Sequence, residues 1–306
     1  MTDAAPGLIA RGLNLYLRVV QKRLMRNAQT PEDLRLSFER QARLFFWPPR
    51  GTRFRAGNAG PLTAQWIMPA QGAGGPLILY FHGGGYIFGS PHTHRAMVAW
   101  LAALTGSEAC LPRYRLAPEH PFPAAFDDSM AAYAALADHP GGLILGGDSA
   151  AGGLVLAVLA QAKATGLPLP RGTFALSPLT DMTASGESMR SNARTEAILP
   201  AERSGELFEM YLQGHDPADP RASPLFADFS GVSPVFLTVG DTEILLDDAL
   251  RMAARMRAQG VDVTCEVARD LPHVWPIFQT ILPEARATLR GLAAWITALS
   301  SRKSDS

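Results

Sequence analysis

The stretch GGDSAAGG, residues 146–153, sets a serine directly after the apolar run Leu143-Ile144-Leu145. Gly147, Asp148 and Ser149 fit the serine-hydrolase pattern G-x-S-x-G, but position 151 is alanine and the next glycines are Gly152 and Gly153. The apolar run reads as a strand and the residues from 152 onward as a helix. A strand, a tight turn and a helix lift a serine hydroxyl clear of a sheet. They also place it at a helix N-terminus, where the dipole and free N–H groups favour a developing negative charge. The chemistry this suits is nucleophilic attack on a carbonyl carbon. A methyl at Ala151 is the smallest intrusion on such a turn and removes no chemical group.

A second signal is YFHGGGYIFGS, residues 80–90. Three consecutive glycines, Gly83, Gly84 and Gly85, are costly for ordinary packing and make sense where backbone N–H groups must approach a ligand. A phosphate cradle would need a Lys-Ser/Thr pair after the glycines, and the sequence has none there. An oxyanion hole is the better reading, with donors at Gly84 and Gly85, Gly83 as a further candidate, and the N–H of Ala150.

Three blocks together, HGGGY at 82–86, YRLAPEHPFPAAFDD at 114–128 and GDSAAGG at 147–153, resemble the signature blocks of the bacterial hormone-sensitive-lipase-like esterases. Their order and spacing match, and the likeness continues to PHVWPIF at 272–278. It covers about residues 50–299. The resemblance implies an α/β-hydrolase fold with an N-terminal and an inserted cap, and ester hydrolysis that needs no metal or cofactor. It also implies a structural role for the middle block, in which Arg115, Glu119 and Asp127 are expected to pair inside the fold. Ala151 is the departure, since the family usually has glycine there.

Seven histidines compete for the role of base. His82 belongs to the glycine block and is expected to hold its loop, with His92 and His94 following on the same loop. No carboxylate at ligand spacing turns these three into a metal site. His120, His139 and His215 lie in the proline-rich block, before a turn and in an insertion. His273 follows the last expected strand, where an α/β-hydrolase carries its base, and this completes the chain order serine, acid, histidine. The strand expected at 235–239 runs into GDTEILLDDA, residues 240–249, which offers Asp241, Glu243, Asp247 and Asp248 as the acid. Asp181 is a more distant option. The related esterases place an aspartate at the start of a D-x-L-x-D pattern here. Glu243-Ile244-Leu245-Leu246-Asp247 matches it with Glu243 in the acid's place, a substitution such triads accept. Asp241, with a shorter reach from the strand end, is the runner-up. The expected constellation is Ser149, Glu243 and His273, with oxyanion donors among Gly83, Gly84, Gly85 and Ala150.

These residues need a scaffold, and the pattern supplies one. Apolar periodicity predicts helices over 7–28 and from 30 to about 46, the second opened by Thr30-Pro31-Glu32-Asp33 as cap, N1 proline and acidic first turn. Strands are expected at 52–56, 62–68, 77–81, 108–111, 143–145, 173–176, 235–239 and 261–267. Helices are expected at 96–105, 124–138, 152–165, 246–259 and 283–299. Short apolar strands joined by helices imply a mainly parallel eight-stranded sheet covered on both faces. Residues 184–230 lack strands and hold one helix, at 201–212. They are expected to form an inserted cap segment beside the N-terminal one at 1–50, over a catalytic domain at 51–299. Leu13, Leu17, Phe38, Phe45, Phe46, Leu207, Phe208 and Tyr211 of these segments are candidates for an apolar acyl pocket. Residues 300–306 read as a flexible tail.

Bulk composition narrows the remaining classes. The chain has 306 residues, 47% of them hydrophobic, with 28 basic and 28 acidic residues. A zero net charge gives no reason to expect nucleic acid as a partner. The first residues do not read as a signal peptide, and no stretch approaches a membrane span, so a cytoplasmic protein is expected. Cys110 and Cys265 read as buried thiols of a reducing compartment. The expected partner is a small-molecule ester, and a homodimer is permitted but not required. Two rival functions share these residues: a small-molecule receptor on the same fold, and an amidase or peptidase using the same triad.

Overall fold

A computed structural model of the protein describes residues 7–301. Its centre is one eight-stranded sheet in the order β1-β2-β4-β3-β5-β6-β7-β8. The strands are β1 (Arg53–Ala59), β2 (Leu62–Met68), β3 (Leu77–Phe81), β4 (Ala109–Pro112), β5 (Leu143–Asp148), β6 (Gly172–Leu176), β7 (Val235–Gly240) and β8 (Val263–Ala268). β2 pairs antiparallel with β1 and β4, and every other pairing is parallel. Every residue of β3, β5, β6 and β7 is buried, as strands covered on both faces require.

The helices are α1 (Leu8–Tyr16), α2 (Lys22–Asn27), α3 (Pro31–Phe45), α4 (Pro91–Thr105), α5 (Ala124–Leu136), α6 (Ser149–Ala164), α7 (Ser188–Ser191), α8 (Ser204–Leu212), α9 (Leu246–Ala258) and α10 (Pro283–Ser301). Side chains alternate across the sheet. Leu77, Leu79 and Phe81 of β3 join the core formed with α5, α6 and α9, while Ile78 and Tyr80 join the core formed with α4 and α10.

Several boundaries differ from the sequence reading. The expected single helix at 7–28 carries a π turn, Leu17–Gln21, between α1 and α2. α4 begins five residues early because Ser90 caps it, its side chain accepting the N–H groups of His92 and Thr93. His92 and His94 therefore sit on a helix and not on the glycine loop. Cys110 is buried, but Cys265, on the edge strand β8, is only half-buried, and both are free thiols. α10 runs to Ser301, and the remainder of the expected tail, 302–306, lies outside the described residues, as do residues 1–6.

Residues 184–230 form no strand. They hold α7, α8 and two short 3-10 turns, Ala201–Arg203 and Pro224–Phe226. This insertion is stitched to the N-terminal helices. Lys22 Nζ donates to the carbonyls of Ala193 and Glu196 at 2.8 and 2.9 Å. Arg203 donates to the carbonyls of Met25 and Ala28 at 2.9 and 2.7 Å, and Arg26 pairs with Glu202. α3 is tied to the body through Arg35, which binds Glu119 bidentately at 2.6 and 2.8 Å. In the same proline-rich block Arg115 pairs with Asp128 at 2.7 Å, not with the expected Asp127. Asp128 is the one that turns inward and is buried.

Candidate active site

The fold brings the loops after β3, β5, β6, β7 and β8 to one cavity under the helical segments. That is the position at which parallel α/β sheets bind ligands. Ser149 opens α6 directly after β5, with φ of 54° after an extended Asp148. A non-glycine residue in the left-handed region is strained, and such strain persists only where surrounding structure holds it. Here the N–H of Leu179 donates to the Ser149 carbonyl at 2.9 Å. The turn needs glycine at two close approaches. A Cβ on Gly147 would lie 2.4 Å from the Ala151 carbonyl oxygen, and one on Gly153 would lie 1.9 Å from that of Leu179. Position 151 itself is fully buried and its methyl belongs to the apolar core.

Three of the expected residues form one hydrogen-bonded line. Ser149 Oγ lies 2.9 Å from His273 Nε2, and His273 Nδ1 lies 2.6 Å from Glu243 Oε2. A carboxylate only accepts, so Nδ1 carries the proton and donates to Glu243, leaving the Nε2 lone pair for the serine hydroxyl. Burial pulls the His273 pKa down, but the charge and hydrogen bond of Glu243, with Glu196 and Asp148 behind them, outweigh it. The net shift is upward from 6.5. The other oxygen of Glu243 accepts the Gly240 N–H at 2.6 Å and the Ser177 hydroxyl at 2.8 Å. Ser177 Oγ in turn accepts the N–H of Val274 at 3.1 Å, so one hydroxyl braces both the acid and the histidine loop.

The other candidate acids are engaged elsewhere. Asp241 Oδ1 accepts the N–H of Asp270 at 2.7 Å, which turns the loop leading to His273. Asp181 pairs with Arg251 at 2.9 Å, Asp247 accepts the N–H of Ser188 at 2.8 Å, and Asp248 accepts that of Thr180 at 2.6 Å.

The glycine loop gives one correction. The N–H of Gly83 donates to Asp148 Oδ1 at 2.8 Å, so it anchors the loop and is not free for an oxyanion. Asp148 also accepts the Tyr80 hydroxyl at 2.6 Å and lies 3.2 Å from His94 Nε2. Burial disfavours its charge, yet His94 and these donors hold its pKa below the usual value. Gly84 and Gly85 have φ of 121° and 60°, conformations open to glycine and strained for other residues. The N–H of Ala150 is among the first of α6, which have no acceptor within the helix. Its carbonyl accepts the Tyr86 hydroxyl at 2.8 Å. His82 Nδ1 donates to the Gly83 carbonyl at 2.9 Å and its ring stacks on Tyr114. Burial and the nearby His94 lower its pKa to about 3, so it stays neutral. His92 faces Glu39 at 2.7 Å. Among the described residues no group of three or more His, Cys, Asp or Glu side chains could hold a metal ion.

Sequence reading missed Asp148, Ser177 and Glu196. Glu196 comes from the insertion and is buried beside the acid loop, where Oε1 accepts the N–H of Ile198 at 2.8 Å and Oε2 that of Ile244 at 3.1 Å. Burial raises its pKa, with the His273 charge pulling the other way. For Asp148 a signal was present, since it immediately precedes the serine. Nothing local marks the other two.

The cavity has a volume of about 170 Å³ and an apolar wall. Leu17, Phe38, Phe46, Leu207 and Phe208 reach it as expected. Leu13 instead packs toward Trp275, Phe45 is exposed, and Tyr211 stacks flat on Tyr86 with ring centroids 3.9 Å apart.

Residues 78–277 match the family model of the alpha/beta hydrolase fold. The chain is 36% identical over 242 residues to an acetyl-hydrolase of Streptomyces hygroscopicus, covering 78% of this chain and 81% of the relative. It is 36% identical to an esterase of Acinetobacter venetianus, covering 76% and 78%. Among solved structures it is similar to an esterase from the bacterial hormone-sensitive lipase family, with a TM-score of 0.90 and 37% identity over 97% of this chain and 100% of that one. EstE5 soaked with p-nitrophenyl butyrate gives a TM-score of 0.90 and 34% identity, covering 96% and 99%. The chain belongs to the α/β-hydrolase fold family and, within it, to the bacterial hormone-sensitive-lipase-like esterases. Among the described residues, no helix is long and apolar enough to cross a membrane.

Proposed function

We propose that this ester hydrolase cleaves short- to medium-chain acyl esters, lactones among them, through Ser149, His273 and Glu243. His273 Nε2 takes the hydroxyl proton as Ser149 Oγ attacks the ester carbonyl. Glu243 holds the imidazole in the required tautomer and stabilises the imidazolium. The N–H groups of Gly84, Gly85 and Ala150 receive the oxyanion. The imidazolium then protonates the departing alkoxide, which leaves as an alcohol. Water attacks the acyl-enzyme by the same route, returning the proton to Ser149 and releasing the acid. The steps call for no metal and no cofactor.

The observation that carries this reading is the unbroken line from Ser149 through His273 to Glu243, at 2.9 and 2.6 Å, opening on an apolar cavity. The modest volume of that cavity supports a short or medium acyl chain. In this reading 1–50 and 184–230 act as a two-part cap on the catalytic domain at 51–299.

A fluorophosphonate probe followed by peptide mass analysis tests the proposal, run beside a chain-length series of p-nitrophenyl esters. We expect one label, on Ser149, loss of butyrate ester hydrolysis in step with labelling, and a rate that falls from butyrate toward long acyl chains. Intact protein that takes no label on Ser149 would sink the mechanism. A flat profile out to long chains would sink the substrate class.

A further inference from the structure

The N-terminal helical run, α1 through the π turn to α2, is apolar on two opposite sides. Its inner side packs as expected, with Ala10 and Leu17 buried and Leu17, Gln21 and Met25 lining the substrate cavity. Its outer side carries Leu8, Ile9, Leu15, Tyr16 and Val19, which are 86%, 51%, 64%, 48% and 59% exposed. Leu8 and Leu15 are seven residues apart and Val19 follows four later, so they share one outward stripe, with Ile9 and Tyr16 alongside. A helix at a protein surface ordinarily turns polar residues to water. Scattered apolar side chains need no explanation, but a stripe of this kind marks an interaction surface.

Charge identifies the partner. Between Gly7 and Thr30 the sequence holds Arg11, Arg18, Lys22, Arg23 and Arg26 and no acidic residue. Lys22 is buried in the insertion, and Arg18 and Arg26 face Asp270 and Glu202. Arg11 and Arg23 are exposed, and neither has an ion pair among the described residues. We propose that this helix seats the protein on an anionic lipid surface, with the apolar stripe at the boundary between headgroups and acyl chains and the arginines on lipid phosphates. A second copy of the chain fits less well, because a two-fold contact would bring the same cations face to face. The placement has a use that goes beyond the proposed chemistry. The helix that would lie in the lipid forms the cavity wall on its other side, and the lining continues to the exposed Gln29 and Thr30 just past α2. Apolar esters dissolve in that lipid phase, and the cavity would open beside it.

Co-sedimentation of the full chain with phosphatidylcholine vesicles, with and without phosphatidylglycerol, tests the proposal. We expect binding to phosphatidylglycerol vesicles at least about tenfold tighter than to neutral ones, weakening at high salt. Leu15→Asn with Val19→Asn, and separately Arg11→Gln with Arg23→Gln, should each weaken that binding about tenfold. None of the four residues lines the cavity, so hydrolysis of a water-soluble butyrate ester should be unchanged and reports that the variants are folded. The proposal is overturned if the wild-type chain does not sediment with phosphatidylglycerol vesicles, or if both variants bind as well as wild type. It is also overturned if Leu15→Asn with Val19→Asn only dissolves a lipid-independent dimer, seen by analytical ultracentrifugation. Binding is read without catalysis, so a failure of the Ser149 mechanism would leave this result standing.

Discussion

Asn192 of the insertion donates through Nδ2 to the main-chain carbonyl of Glu243 at 2.9 Å and to that of Asp241 at 3.1 Å. It does not act alone. Ser188 Oγ donates to the Ile244 carbonyl at 2.7 Å, and Glu196 receives the Ile244 N–H. The segment that roofs the cavity therefore also clamps the loop that carries Glu243. Asn192→Ala should free two carbonyls and let that loop drift. A misplacement of about 1 Å can cost on the order of 10²-fold in rate, so kcat is expected to fall about 10- to 100-fold with KM little changed. Steady-state kinetics on a butyrate ester, with the melting temperature as a control for folding, checks this. Wild-type kcat in Asn192→Ala would mean that the loop holds itself.

The choice between Glu243 and Asp241 can be made with two isosteric variants. Glu243→Gln keeps the volume but loses the charge that stabilises the His273 cation and fixes its tautomer, and a fall in kcat of roughly 10³- to 10⁴-fold is expected. In Asp241→Asn an amide oxygen can still accept the Asp270 N–H, so the rate should stay within about tenfold of wild type. The reverse ranking would move the acid to Asp241.

The pH profile should carry the mark of Glu243. A protonated His273 cannot accept the serine proton, so kcat/KM is lost as pH falls through the histidine pKa. Because that pKa is raised, the acid limb should lie above the ordinary 6.5. Burial alone would pull it down, and Glu243→Gln removes the strongest opposing influence, so its residual activity should show a limb at lower pH. Glu196→Gln should move the limb in the same direction by less. A limb that stays put in both variants would show that these carboxylates do not set the histidine pKa.

What the sequence revealed and what it hid follow from distance along the chain. The strand-turn-helix around Ser149 and the run of three glycines are local patterns, and the sheet could be read from short apolar runs alone. Choosing Glu243 over Asp241 needed the family pattern, because four carboxylates lie within eight residues of one strand end. Gly83 reads as a further candidate donor in the sequence because the acceptor that occupies its N–H, Asp148, is 65 residues away. Ser177 and Glu196 escaped notice for the same reason, since each acts on a loop far along the chain. The early start of α4 had a local signal in Ser90, Pro91 and Thr93, which a loop reading of the histidines concealed.

Asp148 gives a test of how the glycine loop is held. Asp148→Ala removes the acceptor of three buried donors, the Gly83 N–H, the Tyr80 hydroxyl and His94 Nε2. Each orphaned donor costs roughly 1–3 kcal/mol, so a loss of about 3–9 kcal/mol in unfolding stability is expected. If Gly83 sets the position of Gly84 and Gly85, kcat should fall as well, approaching the 10²- to 10³-fold or so that follows loss of one oxyanion donor. Asp148→Asn retains an acceptor oxygen and should keep kcat within about tenfold of wild type. Urea denaturation and kinetics on the two variants separate hydrogen-bond geometry from charge. Full activity in a folded Asp148→Ala would show that the loop keeps its shape without the anchor.

Ala151 is the one residue of the serine turn that departs from the G-x-S-x-G pattern, and its contacts give a definite expectation. The glycine requirement falls on Gly147 and Gly153, where backbone oxygens lie within 2.4 Å of an added Cβ. Ala151 lies inside α6 with its methyl fully buried. Ala151→Gly should therefore lower stability by about 1 kcal/mol, from the greater backbone freedom of glycine in the first turn of α6 together with the lost packing of a buried methyl. Turnover should stay within about tenfold, a barrier change below roughly 1.4 kcal/mol, because Ala151 is not among the residues lining the cavity, whereas Ser149, Ala150 and His273 are. Urea unfolding and butyrate ester kinetics on the same preparation read both quantities. A larger loss of rate at unchanged stability would mean that the methyl itself sets the angle at which Ser149 meets its substrate.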